Sequence, residues 1–323
     1  MPKITDRPPA EIHAELLELR AALDQAIPAK ALDYNLLIAT WNIRAFGDLT
    51  EKWRAGPDDS PKRDLHALRC IVEILSRFDV IALQESRANL KALRHTLKCL
   101  GPDWGFILSD VTRGAPGNGE RMAFLFDTRK VRPSGLACEL VVPQERLDKI
   151  AADALEKQFA RTPYAVSFLA GTKTFILVTL HVIYGKKAEE RIPELKAIAE
   201  WMAEWGCDIN AWGHNLIALG DFNIDRQGDE LYDAFISTGL HTPQDLNLIP
   251  RTIFSDPEKP KFYDQIAWFT GKNNLPALSM RYMQGGSFDF TQFALKSLDL
   301  SKVALSWRIS DHYPLWAEFS LRD

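Results

Sequence analysis

The chain lacks most features that would place it outside the ordinary globular class. Its 323 residues include four cysteines, Cys70, Cys99, Cys138 and Cys207, and no two form a Cys-x-x-Cys pair. Zinc knuckles and redox motifs are therefore not indicated, and a chain of this size does not need a disulfide scaffold. The cysteines read as reduced thiols. No apolar run is long enough to cross a bilayer. The N-terminal stretch MPKITDRPPAEIHAELLELR is broken by charges too often for a secretory signal. The expected location is cytoplasmic, with no membrane partner and no protein partner evident. Charge of one sign is also missing: Lys+Arg is 39 against Asp+Glu 43, a formal net charge of −4. That argues against a protein held to nucleic acid by a strong overall positive field, but leaves room for a local basic rim beside an acidic centre. Internal repeats and low-complexity segments are absent, and no linker divides the chain.

What is present fits a full-sized core, with 46% hydrophobic and 25% charged residues. Ile12, Leu16, Leu19, Leu23 and Ile27 recur at helical spacing after Pro8-Pro9. They predict an amphipathic helix packed on the outside, with a partner-binding role as its alternative. Residues 1–34 thus read as an extension ahead of a single α/β domain over 35–323. Asn35–Trp41 is an apolar run suited to a buried strand, and Asp79–Gln84 is another. Between them Pro61 is expected to open a helix with core face Leu65, Leu68, Val72 and Leu75. A helix near Ala88–Cys99 follows, then strands at Gly105–Ser109 and Arg121–Phe126 flanking a Gly-rich loop, Thr112–Gly119. Val142–Phe159 reads as a helical insertion. Strands are expected at Tyr164–Leu169, Thr174–Leu180, Asn215–Leu219, Tyr263–Phe269 and Pro314–Leu321. A helix carries Ile192, Leu195, Ala199 and Met202.

Position is the informative signal. Asn42, Glu85, His181 and Asp221 each follow an apolar run that reads as a strand, and ligand sites in α/β folds gather at strand ends. Phosphodiester hydrolysis requires charge neutralisation at the phosphoryl oxygens, an activated water and a stabilised leaving oxygen. Asn42, Glu85 and Asp311 offer the hard oxygen ligands that Mg²⁺ prefers. Histidine and aspartate can move protons, and a carboxylate beside each imidazole would fix its tautomer. Glu120 and Asp264 are the candidates for those partners. Each residue has an ordinary explanation on its own. An Asn after a strand is usually a turn former, a lone His a satisfied core residue, Asp-Phe-Asn an Asx turn, and Asp-His before Pro a loop.

Taken together the segments resemble the endonuclease/exonuclease/phosphatase superfamily, most closely its deoxyribonuclease I-like members. The matching stretches are Trp41–Gly47, Leu83-Gln-Glu-Ser-Arg87, Gly119-Glu-Arg121, Arg161-Thr-Pro-Tyr164, Leu180-His181, Gly220-Asp-Phe-Asn-Ile-Asp225, Tyr263-Asp-Gln-Ile266 and Ser310-Asp-His-Tyr-Pro314. They occur in family order from about residue 36 onward. The resemblance implies a four-layer sandwich: two β-sheets face to face with helices on both outer faces. It implies a metal set of Asn42, Glu85 and Asp311 for Mg²⁺ or Mn²⁺. It pairs His181 with Glu120 and His312 with Asp264, and gives Asp221 and Asn223 the attacking water and the phosphate. Either Asp221 or His312 is the base. Arg44, Arg87 and Arg161 fall where such enzymes contact the nucleic-acid backbone or minor groove, a task that suits the planar guanidinium.

The sequence also departs from that pattern. Asn118 stands near the place where a tyrosine enters the DNA minor groove in deoxyribonuclease I. The N-terminal helix, Val142–Phe159 and Pro276–Leu305 have no assignable counterpart. Lys186-Lys187, Arg251 and Lys259-Pro-Lys261 suggest a basic rim, and Trp53, Trp212 and Phe262 offer rings for stacking on bases, against the ordinary readings of solvated surface and core. The leading function is a metal-dependent endonuclease acting on DNA. Its alternatives are a phosphodiesterase or phosphatase for an RNA end, nucleotide or phosphoinositide, and a non-catalytic binding module of the same fold.

Overall fold

Period-two alternation within the apolar runs sorts side chains into three cores. The computed structural model describes residues 2–112, 117–141, 159, 161–185, 187–210, 215–256, 258, 261–272 and 275–322. One sheet contains β1 (Asn35–Phe46), β2 (Val80–Arg87), β3 (Trp104–Leu108), β4 (Glu120–Asp127), β11 (Arg281–Ser287) and β12 (Leu315–Ser320). The other contains β5 (Val131–Glu139), β6 (Tyr164–Ala170), β7 (Lys173–His181), β8 (Asn215–Asp221), β9 (Leu240–His241) and β10 (Asp264–Phe269). Among the described residues the strand orders are β11-β12-β1-β2-β4-β3 and β5-β6-β7-β8-β10-β9, and both sheets mix parallel and antiparallel pairs.

Along β1, Leu36 and Ile38 enter the core between the sheets, whereas Leu37, Ala39, Trp41 and Ile43 face outward under helices. On β7, Phe175 and Leu177 point inward while Ile176, Val178 and Leu180 point out. Successive strand side chains alternate faces, so both faces of each sheet must be covered. The first sheet is covered by α1 (Ala10–Ala26), α2 (Leu65–Leu75), α3 (Lys91–Leu100) and α6 (Lys302–Arg308). The second is covered by α4 (Ile192–Asn210) and α5 (Glu230–Ile236). The result is the four-layer αββα sandwich.

Local chemistry sets several boundaries. The α2 helix starts at Leu65, not at Pro61, because the Asp64 carboxylate accepts a hydrogen bond from Ala67 N at 2.9 Å. Such a cap stabilises a helix by about 1 kcal/mol. On α1, Ile12, Leu16, Leu19 and Leu23 are buried in the outer core, and Arg20 pairs with Glu73 of α2 at 2.7 Å. The apolar face is covered within the chain. Three strands were not expected, β5, β11 and the two-residue β9, and all three lie at sheet edges. Pro133 in β5 and Gly285-Gly286 in β11 argue against strands by propensity, but an edge tolerates proline and glycine. A Cβ on Gly286 would lie 2.7 Å from the Trp316 ring, so the ring occupies that space. The stretch Pro276–Leu305 holds β11, a 3-10 turn at Lys296–Leu298 and the start of α6, joined by loops. The expected helix Val142–Phe159 lies outside the described residues except for Phe159. Among the described residues, no helix is long and apolar enough to cross a membrane.

Candidate active site

Strand register builds most of the site. His181 at the end of β7 is the Cα partner of Asp221 at the end of β8, and Asp221 is the partner of Asp264 at the start of β10. The three therefore form one row across the second sheet. Their parity matches that of Leu177, Leu219 and Ile266, which face the inter-sheet core. Asn42 and Glu120 share the inward parity of Ile38 and Phe124 on the opposing sheet. Five polar side chains thus converge at one open end of the sandwich. The strands run through Asn42, His181 and Asp221 instead of stopping before them.

Asp221 is the centre. Its Oδ2 lies 3.7 Å from His181 Nε2 and 3.8 Å from His312 Nε2. The same oxygen accepts from Asn42 Nδ2 at 3.0 Å, and Oδ1 accepts from Asn223 N at 3.0 Å. Each imidazole has its own carboxylate behind it: Glu120 Oε2 is 3.0 Å from His181 Nδ1, and Asp264 Oδ2 is 2.7 Å from His312 Nδ1. The order is Glu120, His181, Asp221, His312, Asp264, and an arginine backs each end. Arg161 Nε is 2.7 Å from Glu120 Oε2, and buried Arg251 donates from Nε to the Asp264 carbonyl at 2.9 Å.

The electrostatics follow from burial set against these neighbours. Burial raises the Glu120 carboxyl, but contact with His181 and the charges of Arg161 and Arg87 overcome it and hold it at about 2. Burial likewise raises Asp221, and the two histidine charges with Asn42 bring it below its ordinary value. Burial prevails at Asp264, which is pushed up to about 6 despite His312. Burial lowers His312, but the charges of Asp264 and Asp221 lift it well above the ordinary imidazole value.

Glu85 needs a special backbone. By parity with Ile81 and Leu83 it would face outward into the helical layer. A β-bulge interrupts the pairing of β2 with both β1 and β4 around it, and Glu85 takes φ 59°. Bulges re-aim side chains in this way. The Glu85 Oε2 accepts from Ala45 N at 2.8 Å and lies 3.5 Å from Arg87 Nη2, which is also 3.5 Å from Glu120 Oε1. Asp311 has Arg44 Nη1 at 3.7 Å from its Oδ2.

The oxygen set suits a hard divalent ion. Asn42 Oδ1 is buried without a hydrogen-bond partner, because the amide is fixed with Nδ2 toward Asp221. A buried unsatisfied acceptor is costly, and a cation would satisfy it. Among the described residues, no three His, Cys, Asp or Glu side chains converge as a ready-made ion site. An ion here would rest on one or two carboxylates, the Asn42 oxygen and water, the mode typical of Mg²⁺.

Several supporting residues were not singled out in the sequence, although Ser310 and Gln84 lie within the matching stretches. Ser310 Oγ donates to the Asn42 carbonyl at 2.6 Å and accepts from His312 N at 3.1 Å, tying β1 to the histidine loop. Gln84 Nε2 donates to Thr40 Oγ1 at 3.1 Å and Thr179 Oγ1 at 2.9 Å, a polar floor joining the sheets beneath the site. Buried Arg63 donates to the carbonyls of Arg44, Ala45, Arg308 and Ile309, clamping the loops on either side. Motif reading finds such residues only when their partners are known. The basic rim is corrected in part: Arg251 is fully buried behind Asp264, Lys261 is paired with Asp225 at 2.6 Å, and Lys187 is exposed. Lys186, Lys259 and Trp212 lie outside the described residues. Phe262 is a core residue, and Trp53 packs against the outer core of the first sheet. Asn223, at φ 52°, uses Nδ2 to bond the Val182 carbonyl at 2.6 Å.

The fold and the chemistry of this centre suit a hydrolase of phosphate esters. Residues 39–290 match the Endonuclease/Exonuclease/phosphatase family, and the chain belongs to that family. A protein named deoxyribonuclease from Thioalkalivibrio sp. (strain K90mix) is 28% identical over 209 residues, covering 63% of this chain. That match spans half of the relative's length, 50%. A family protein of Bacteroides thetaiotaomicron superposes with a TM-score of 0.58 at 19% identity, over 89% of this chain and 98% of the other. The mannosyl-6-phosphatase of B. thetaiotaomicron VPI-5482 gives 0.56 at 19%, over 88% and 99%. TDP2 of D. rerio, complexed with single strand DNA product, gives 0.55 at 15%, over 88% and 98%. These structural similarities are ones of fold.

Proposed function

We propose that the protein is a divalent-metal-dependent phosphodiesterase that hydrolyses nucleic-acid phosphodiester bonds, DNA first among them, by endonucleolytic cleavage. The observation that carries this reading is the placement of Asp221 between two imidazoles at 3.7 and 3.8 Å, each imidazole backed by its own buried carboxylate. In-line displacement at phosphorus needs a proton taken from water on one side and charge relieved at the leaving oxygen on the other. Asp264 holds the His312 ring by Nδ1, so Nε2 faces Asp221, and a water bridging the two from the open end of the site can give its proton to one of them. Either Asp221 or His312 is the formal base. His181, oriented by Glu120, is placed to hydrogen-bond the leaving 3′ oxygen or the pentacovalent oxygens. Asn223 and Asn42 fix Asp221 from two directions. Mg²⁺ or Mn²⁺ held by Glu85 and Asn42, with Asp311 nearby, would supply positive charge to the phosphoryl oxygens. Arg44, Arg87 and Arg161 serve the neighbouring backbone phosphates. The named deoxyribonuclease relative supports DNA over other esters.

A second reading, a small single phosphate ester, gains from one observation. Arg44, Arg87 and Arg161 all face carboxylates, which reduces the positive charge offered to a polyanion. A panel of plasmid, single-stranded DNA, RNA and bis(p-nitrophenyl) phosphate, with Mg²⁺ or EDTA, separates the two. The expected result is metal-dependent plasmid nicking that falls steeply with salt. His312→Ala should lower it at least about 100-fold. Intact plasmid with turnover of the small ester would favour the second reading. Unchanged turnover in His312→Ala would sink the mechanism, and cleavage surviving EDTA would sink the metal assignment.

A further inference from the structure

Helix α6 ends three residues before Asp311 and carries an aromatic ring that the catalytic scheme does not use. Trp307 is 50% exposed, and one turn earlier Val303 is 58% exposed on the same face. The indole has a definite contact: the Arg44 guanidinium carbon lies 3.7 Å from the ring centroid. That is stacking distance, well inside the range of a cation–π interaction. The rest of Arg44 is equally constrained. Its Nη1 donates to Ser306 Oγ at 2.8 Å and lies 3.7 Å from Asp311 Oδ2. Its backbone N donates to Ser310 Oγ at 3.3 Å and its carbonyl accepts from Arg63 Nη2 at 2.6 Å. Arg63 also bonds the Arg308 and Ile309 carbonyls, so the backbone beside Trp307 and that of Arg44 are held by one buried guanidinium.

An arginine at a rim ordinarily samples many rotamers, and ordering it costs binding free energy. Here that ordering is done before substrate arrives, with one guanidinium face on the indole and the fork beside Asp311. We infer that Trp307 is a positioning residue for Arg44, holding the guanidinium as a fixed fork for a backbone phosphate next to the one that is cleaved. This rests on the nuclease reading above. It makes Trp307 a determinant of preference for polynucleotide chains over isolated phosphate esters, because a single-phosphate substrate has nothing for the fork to grip.

The test compares kcat/KM on a DNA oligonucleotide with kcat/KM on bis(p-nitrophenyl) phosphate. Trp307→Ala should lower the oligonucleotide value more than the small-ester value, the ratio falling about 3- to 30-fold, mainly through KM. Trp307→Phe should restore most of the ratio. Arg44→Ala should reproduce the loss, and the double variant should lose no more than Arg44→Ala alone, because the two side chains act as one unit. Equal losses on both substrates, or additive losses in the double variant, would overturn the inference. A wild-type enzyme that turns over the small ester but leaves DNA intact would instead overturn the nuclease reading on which it rests.

Discussion

Asp221 sees two imidazoles at nearly equal distance, yet the histidines are not equivalent. The Glu120 carboxylate is shared by His181, Arg161 and Arg87, whereas the Asp264 carboxylate has its direct contact with His312, Arg251 bonding the Asp264 main-chain carbonyl and reaching the carboxylate only through its charge. The stronger support belongs to His312. Asp264→Asn is therefore expected to lower kcat at least about tenfold more than Glu120→Gln, measured on one phosphodiester under metal saturation. Comparable losses would refute the asymmetry. Glu120 also ties stability to pH. Its carboxyl is lowered from 4.5 to about 2, so the unfolded state binds the proton more readily. The stabilisation it gives is present above about pH 4.5 and is lost as pH falls from there toward 2. Glu120→Gln should lower the melting temperature at pH 7, and the gap to wild type should narrow below pH 4.5. A gap that stays constant from pH 7 to 3 would contradict this.

At the scale of elements, strand pairing is what delivers chemistry to the rim, and two backbone positions enable it. Gly220 takes φ 144°, and a Cβ there would stand 2.1 Å from the Leu180 carbonyl oxygen of the parallel neighbour. Gly220→Ala should destabilise the protein by more than about 1 kcal/mol in urea unfolding and disturb the adjacent Asp221. Wild-type stability with full activity would be inconsistent with that packing. At the opposite end, where the chain crosses from β4 to β5 and so from one sheet to the other, Lys130 and Asp79 form a buried ion pair at 2.8 Å. Asp79 also accepts from Leu37 N at 2.8 Å. Removing one partner leaves the other charge uncompensated in the core, so Lys130→Met should cost about 3–5 kcal/mol. Asp79→Asn/Lys130→Met together should cost less than the sum of the two single changes. The bulge at Glu85 was not visible in the sequence, because Leu83-Gln-Glu-Ser reads as plain alternation. Edge strands β5, β9 and β11 were missed for a related reason: an edge relaxes the propensity rules that identify a central strand.

For the whole molecule, the sandwich works as a clamp whose two sheets each bring half of the site. Asn42, Glu85 and Glu120 come from one sheet, His181, Asp221 and Asp264 from the other, and His312 from the loop entering β12. The contact of Gln84 with Thr179 joins the halves directly beneath the centre. Gln84→Leu should therefore lower activity while the outer helical layers stay folded, seen as a loss in kcat with little change in far-UV circular dichroism. Unaltered kcat would show that the floor does not set the spacing. The sequence by itself determined a single α/β domain, the α1 face and the identities of the polar residues at the strand ends, because apolar periodicity and Gly-Asp-Phe-Asn or Ser-Asp-His-Tyr-Pro are local patterns; the αββα layering was implied by the family resemblance those motifs carry. Tertiary structure alone decided which carboxylate backs which imidazole at these distances, that Arg251 and Phe262 are buried instead of lining a rim, and that Ser310, Arg63 and Gln84 hold the parts in place. The reason is physical: a residue's identity is local, whereas its partner is set by the register and packing of strands far apart in the chain.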